Sequence, residues 1–498
     1  MDMFVYEKLY RFPPRYGPEW GSGGIFGLRY HKGVLYFTLA FEAEAHFIRD
    51  DREKVYRFEH IGKGPGPRSG GDTYSAVEVV DDKIYFGGWV HAPAIYGGRK
   101  DHGGIILFYN KFSHVHVYDI LEDEVQLLWK DTIEHEEKWA GEVSEIVYNP
   151  VDDRLIIARA DGHEHLGIYA LDRKSGKEEK LSEDPGLKGS TYLDYVCFDI
   201  MRDWSKGVEG IQCMDMVTGK WTKRLIDDYA KISVDGHGTE QPLSGCASSA
   251  YARFFMFVKG GVLVGNPVDP SVEPLRFIRL FDFVKSGYSP TRTVALPLGG
   301  GILTAFNSFT HGIVHARKPW EKELLKALNT IVGPTVLVYI TPPMARIVGA
   351  LGARVTSMEK VGDKVLLGTT DTANLMALDA SPIDVGHRDI LVVNTSALLY
   401  SPPPPVSFVI PGSMVGSSAW GGIPLWGYDN PVLIINSTKE NTLKVYEYDL
   451  LLPACQAEEE QYRIKKGKNV IGLNGYHRIV SFKLEKEDPQ AKIYIHLS

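Results

Sequence analysis

The chain has 498 residues, 44% hydrophobic and 24% charged, with a formal net charge of −8 from 63 acidic and 55 basic side chains. Those proportions exclude a disordered segment, a coiled coil and a collagen-like rod, and the acidic balance excludes a basic nucleic-acid binder. The 51 glycines beside 26 Tyr, 21 Phe and 9 Trp point to many short strands joined by tight turns.

The chain opens MDMFVYEKLYRFPPRYG, with charges at Asp2, Glu7, Lys8 and Arg11. It lacks the apolar core of a secretory signal, and no run approaches the ~18 apolar residues of a membrane span. The expected location is the cytoplasm, with neither membrane nor nucleic acid as partner. Cys197, Cys213, Cys246 and Cys455 show no CxxC pair and are expected to be reduced and buried.

From residue 25 a hairpin pattern recurs, a half-apolar strand, a tight turn, then a strongly apolar strand. IFGLRY-HKG-VLYFTLAF turns at His31 to Gly33, and YSAVEVV-DD-KIYFGGWV at Asp81 and Asp82. SEIVYNPV-DD-RLIIARA follows at Asp152 and Asp153, then ARFFMFV-KGG-VLVGNPV at Lys259 to Gly261. LTAFNSFT-HG-IVHAR turns at His311 and Gly312, and TSMEKV-GD-KVLLGTT at Gly362 and Asp363. A degenerate unit lies between, as TYLDYVCFDI and GIQCMDMVTGKWTKRLI.

Each turn places Gly or Asp where positive φ or a local side-chain hydrogen bond is needed. A more polar strand pair follows most hairpins, so the unit is four strands at a period of about 50 residues. Seven such units predict an all-β fold, a seven-bladed β-propeller over 1–395. The N-terminal FVYEKLYRF is expected to close the ring as the outer strand of the last blade.

Pro402 to Pro405 stiffen an expected linker over 396–406. Short alternating strands in 407–498 then predict a small antiparallel β-sandwich, with Trp420 and Trp426 on a glycine-rich loop that could either bind a ligand or seal the domain interface. One helix is expected near residues 319–332, in KPWEKELLKALNTIV, laid over one face of the ring.

Counting about nine residues on from each turn reaches equivalent places on one rim, since a strand advances roughly 3.3 Å per residue. Those places hold Glu42, His91, Asp161, Asp269, Glu321 and Asp371. Five carboxylates and a histidine there would make an electronegative ligand-binding face. A carboxylate that ends a strand also serves simply to bond the amides of its own turn. His91, His163, His165 and His237 fall in loops of the same predicted face and are the candidate ligands of a divalent metal. His114 and His116 alternate along one strand and so share a side. Arg68-Ser-Gly-Gly could cradle an anion with its amides, whereas no GxSxG and no GxxxxGK[ST] occurs.

The segments VDDKIYFGGWVHAP, YNPVDDRLIIARADGHEHLGIYALD and VGDKVLLGTTDTANL resemble an uncharacterised family of archaeal proteins of propeller type. The resemblance covers about residues 20 to 395 and implies an archaeal, thermophilic source and a cytoplasmic place. It brings no assigned activity and so no functional residues. Two readings of function stand side by side. One is a scaffold that binds a protein or carbohydrate-like ligand at its axial face. The other is a metal-dependent lyase or hydrolase of a sugar-like substrate, with the four histidines as ligands.

Overall fold

The computed structural model describes residues 6–12, 24–39, 44–58, 69–72, 74–91, 111–132, 141–160, 165–203, 206–227, 229–308, 332–371, 387–451 and 456–498. Among them the chain is all-β, with nine antiparallel sheets. Strands such as Val34–Leu39, Arg253–Val258 and Gly301–Phe306 are buried at every position, which their mostly apolar runs predict. The edge strand Arg52–Arg57 is instead exposed or half-buried throughout, and its charges discourage edge-to-edge pairing with other chains.

Seven sheets come from residues 6–394: 25–57, 69–132, 143–182, 189–225, 244–279, 295–351, and 354–394 with Tyr6–Phe12. In each, apart from Tyr6–Phe12, strands follow one another in space as they do in sequence. The first and third turns therefore lie at one end of a sheet. The link between second and third strands, and the run to the next sheet, lie at the other. Tyr6–Phe12 is the outermost strand of the seventh sheet, antiparallel to Arg388–Asn394, with Arg11 Nε 3.0 Å from Asp389 Oδ1.

The first strands touch in succession: Ile25–His31, Val77–Val80, Val143–Asn149, Gly189–Tyr192, Ser244–Ala250, Ala295–Leu298 and Arg354–Val361, which returns to Ile25–His31. The cycle of contacts closes. Side chains stitch neighbours together, with Arg29 Nη2 donating to the Val77 carbonyl (3.2 Å) and the Tyr148 amide to Glu78 Oε2 (3.3 Å). Asn307 exchanges two bonds with the Val355 backbone (3.1 and 2.8 Å), and Thr356 Oγ1 donates to the Ile25 carbonyl (2.7 Å).

Three expectations need correction. The first hairpin of the fifth sheet turns at Tyr251 and Ala252, both at positive φ, and that of the sixth at Gly299 and Gly300. The turn at Lys259 to Gly261 instead joins the second and third strands of its sheet. A tyrosine and an alanine carry no turn signal, so the sequence pattern slipped by one strand there. Cys197 and Cys213 are not reduced thiols. They face one another across adjacent strands, with Cα atoms 4.1 Å apart, and form a disulfide. The expected linker over 396–406 begins as a helix, Thr395–Tyr400, whose Ala397 and Leu398 join a buried cluster with the sixth and seventh sheets. The helix expected near 319–332 lies outside the described residues, as do Arg68, His311 and Gly312.

Residues 406–497 form the other two sheets, each four-stranded. Their inner residues share one buried cluster with the fifth and sixth sheets, including Phe255, Ile278, Phe306, Phe408, Trp420 and Phe482. Trp420 is fully buried and packs tilted against Phe482 (4.8 Å between ring centroids), so it seals this junction, whereas Trp426 is exposed. Asp282 and Gly421 exchange backbone bonds of 2.8 and 2.7 Å. Beneath them Arg279, with no exposed surface, donates from Nε to Asp235 (2.8 Å), from Nη1 to Asp282, and from Nη2 to the carbonyls of His237 and Gly238 (2.7 Å each). Tyr448 Oη donates to the Arg279 carbonyl (3.0 Å).

Two measurements check this description. Thiol titration of the denatured protein will find two fewer thiols before reduction than after it. Arg279→Ala leaves Asp235 and Asp282 buried without their counter-charge, which costs about 3–5 kcal/mol and will lower the denaturant midpoint accordingly.

Candidate functional site

The innermost strand of the second sheet is interrupted. Ser69–Gly71 and Val77–Val80 both pair with Lys83–His91, and the residues between them leave the ladder. Gly88 makes this fit possible, because a Cβ there would meet the Gly71 carbonyl at 2.0 Å. The detour is held from inside: Asp72 Oδ1 accepts the amides of Tyr74 (3.2 Å) and Ala76 (2.7 Å), and Ser75 Oγ accepts the Gly27 amide (3.1 Å). Gly27, at φ +64, has no Cβ to strike Asp72 Oδ2, which would lie 2.6 Å away. The result is a buried tyrosine, Tyr74, pushed toward the middle of the ring.

Its partners show how central it is. Arg292 precedes the first strand of the sixth sheet, yet its Nη2 lies 3.3 Å from Tyr74 Oη and its guanidinium 5.1 Å from the ring centroid. The second and sixth sheets are not neighbours, so this contact spans the centre. Ala160, Leu187 and Met201, from the third and fourth sheets, pack against Tyr74 as well.

Lys188, also buried, ties the same region together. Its ammonium donates to the carbonyls of Tyr74 and Ser144 (2.8 Å for the latter) and to Glu145 Oε2 (3.1 Å). Three hydrogens meet three oxygens, which satisfies an ammonium taken out of water. Asp199 Oδ1 shapes the turn that presents it, accepting the amides of Leu187 (2.7 Å) and Lys188 (2.8 Å).

Burial dominates the electrostatics here. It pushes the Asp72 carboxyl up to about 7 and Asp199 up to about 6, and raises Glu145 despite the opposing Lys188. The Cys246 thiol, in the first strand of the fifth sheet, goes up to about 12. Arg354, which opens the first strand of the seventh sheet, is lowered to about 9 by burial and then by the like charge of Arg292. Asp72 Oδ2 and Tyr36 Oη are buried without a hydrogen-bond partner. A carboxyl near neutrality, several buried cations and polar atoms still to be satisfied are what binding and catalytic sites assemble.

None of these residues was singled out by the hairpin pattern. Their one sequence signal is a charge within three residues of the start of an inner strand, as at Glu145, Lys188, Arg292 and Arg354.

The rim residues read from the sequence are placed differently. Asp269 lies in the link between the third and fourth strands of its sheet, and Asp371 in the link between second and third. They therefore sit at opposite ends of their sheets, a consequence of the one-strand slip. Asp269 Oδ1 accepts Ser271 N (3.0 Å) and Oγ (2.5 Å), and Asp371 accepts the His387 amide, so both bond their own connections. Glu42, Asp161 and Glu321 lie outside the described residues.

Of the four candidate metal ligands, His163 and the side chain of His91 lie outside the described residues, and His165 opens the third strand of its sheet. His237 faces the C-terminal sheets, with Nε2 3.1 Å from Tyr446 Oη and Nδ1 3.5 Å from the Lys483 ammonium. Burial, then Lys483, lowers its pKa. Among the described residues no three His, Cys, Asp or Glu side chains converge as metal ligands would.

His114 and His116 do share a side, with Nδ1 atoms 3.0 Å apart, but they are fully buried among Phe58, Phe86 and Tyr56. Burial lowers His114 to about 3 and holds His116 well below its ordinary value. Both are neutral core side chains. The unfolded chain takes up their protons below about pH 6.5 and the folded chain does not, so their contribution is intact above that pH and lost as pH falls toward 3. His114→Phe will remove about 2 kcal/mol of the stability lost between roughly pH 7 and pH 5, read from denaturation midpoints at the two pH values.

No helix among the described residues is long and apolar enough to cross a membrane. No curated protein matches the sequence. Among solved structures the chain is similar to a streptogramin B lyase (9% identity, TM-score 0.38, covering 79% of this chain and 99% of the other). It is similar to a europium-containing methanol dehydrogenase (12%, TM-score 0.38, 74% and 81%) and to Trypanosoma rangeli sialidase in complex with sialic acid (10%, TM-score 0.35, 100% and 95%). Likenesses this distant say nothing of chemistry. A family's sequence pattern does match, over residues 35–378, and the chain belongs to that family, described as "Uncharacterized protein conserved in archaea (DUF2139)".

Proposed function

We propose that residues 6–394 are a seven-bladed β-propeller, that 406–497 are a β-sandwich fixed to blades five and six, and that the propeller is a scaffold binding a small polar, carbohydrate-like ligand at its axial mouth. The observation that carries this reading is the contact of Arg292 with Tyr74 across the middle of the ring. Glu145, Lys188, Arg292 and Arg354 all stand within three residues of the start of an inner strand, hence at the same end. Tyr74 closes the centre behind them and makes the mouth a cup rather than a tunnel. A few convergent polar groups on a rigid wall is the usual make-up of a small-molecule site.

Carbohydrate-like ligands suit such a wall because hydroxyls pair with charged and amide groups while a sugar face lies on an aromatic ring. The metal-dependent reading draws less support, since His237 already faces Tyr446 and a lysine ammonium.

Thermal unfolding of the full chain against a panel of small saccharides and sugar acids tests the proposal. A ligand at a hundred times its Kd adds about 2.7 kcal/mol and raises Tm. Tyr74→Phe, which keeps the ring and loses the hydroxyl facing Arg292, will weaken that protection several-fold. Equal protection of both proteins, or none anywhere in the panel, would sink the axial mouth as a binding site.

A further inference from the structure

The first and third turns of each sheet lie at the end of the ring opposite the mouth proposed above. Six of the sixteen exposed large apolar side chains among the described residues stand in these turns: Leu121, Val151, Leu193, Val217, Tyr251 and Val272, each between 42% and 74% exposed. They come from the second to fifth sheets, whose first strands follow one another round the ring. We propose that this face docks another protein, through a segment in which basic side chains are interleaved with apolar ones.

Three of the six stand in turns fixed by a side chain of the turn itself. Asp119 Oδ1 accepts the Leu121 amide (3.0 Å), Asn149 Oδ1 that of Val151 (3.0 Å) and Asp215 Oδ1 that of Val217 (2.9 Å), so the backbone is held while the apolar side chain stays in water. Two others occupy positions that disfavour them. Leu193 sits at φ +51, and Tyr251 and Ala252 at φ +56 and +54, the left-handed region where a two-residue hairpin favours Asn-Gly. Neither Leu193 nor Tyr251 recovers that cost by burial, so folding alone gives no reason for them. Their turns adjoin, since Tyr192 Oη donates to the Ala252 carbonyl (3.1 Å). Arg253 Nη2 donates to the Leu451 carbonyl (2.8 Å), which brings a further exposed leucine to the same place.

Charge decides what can cover such a face. The same turns carry twelve acidic and five basic side chains, with acids in pairs at Asp50-Asp51, Asp81-Asp82 and Asp152-Asp153. The residues that flank each turn do not reverse this excess. An anionic lipid surface or a nucleic acid would set negative charge against negative charge, and so would a second copy docked face to face. A basic segment brings the opposite charge, and its apolar side chains cover the leucine, valine and tyrosine tips. Complementary charge then orients the partner while apolar burial supplies affinity.

The test uses the full-length protein and three short peptides of one helical spacing: leucine with lysine, leucine with glutamate, and serine with lysine. In fluorescence anisotropy the leucine–lysine peptide will bind, less tightly as salt rises. The serine–lysine peptide will bind about tenfold more weakly, and the leucine–glutamate peptide will not bind. Tyr251→Asn combined with Ala252→Gly supplies the residues that the turn favours, so it will raise Tm while weakening leucine–lysine binding about tenfold. Leu193→Asn will act in the same direction. Gain of stability with loss of binding is the reverse of what a structural role produces. Binding unchanged in both variants, a Tm lowered by both, or equal binding of the leucine–glutamate peptide would each overturn the inference. Phosphatidylglycerol vesicles bound in place of the peptide, or a dimer in sedimentation that both variants dissociate, would overturn a basic protein as the occupant.

Discussion

An ammonium group cannot be taken out of water unless oxygens replace the water around it, and Lys188 meets that constraint with oxygens from two other sheets. The Tyr74 and Ser144 carbonyls and the Glu145 carboxylate come to one point only if the starts of the inner strands are already gathered there. The same bonds fix the detour of the second sheet, because Tyr74 supplies its carbonyl to Lys188 while Asp72 holds its amide. Charge satisfaction and ring geometry thus support one another. Removal of the lysine would leave Glu145 buried without its cation, the costlier half of any buried pair.

The C-terminal sheets obey a similar rule by a different route. Fifth- and sixth-sheet residues share one apolar cluster with Phe408, Trp420 and Phe482, so the two parts have no separate cores at their junction. Arg279 lies beneath that cluster with two carboxylates and two carbonyls around it. Apolar burial supplies attraction without direction, whereas a buried guanidinium between two acids tolerates only one arrangement. The pair of devices explains a fixed junction better than either would alone.

Much of the fold was legible because strands buried on both sides must be largely apolar, and tight hairpins must turn through positive φ. VLYFTL and VLLG, with the turns at Gly33 and Gly362, satisfied both conditions. Legibility failed where a turn used ordinary residues, as at Tyr251 and Ala252, and the slip there carried Asp269 into the wrong set. It failed again at Cys197 and Cys213, because cross-strand register is invisible until both strands are placed. In an archaeal family such a bridge does not by itself argue for an oxidising compartment, since hyperthermophilic archaea keep disulfides inside the cell.

The recurrent acids carry a different lesson. Asp119, Asp172 and Asp215 each end the third strand of a sheet and accept two amides of the turn that follows. A repeated architecture repeats its turns, so periodic carboxylates mark closure of hairpins before they mark a ligand. The groups that converge at the centre are not periodic. Lys188 follows a proline-glycine pair, Arg292 stands between two threonines, and Tyr74 belongs to a detour that, among the described residues, one sheet has. That asymmetry is what the ligand proposed above would require. One small molecule bound on the axis could not present seven equivalent faces, so the sheets around it would differ, and their shared pattern would be weakest at the positions that touch it.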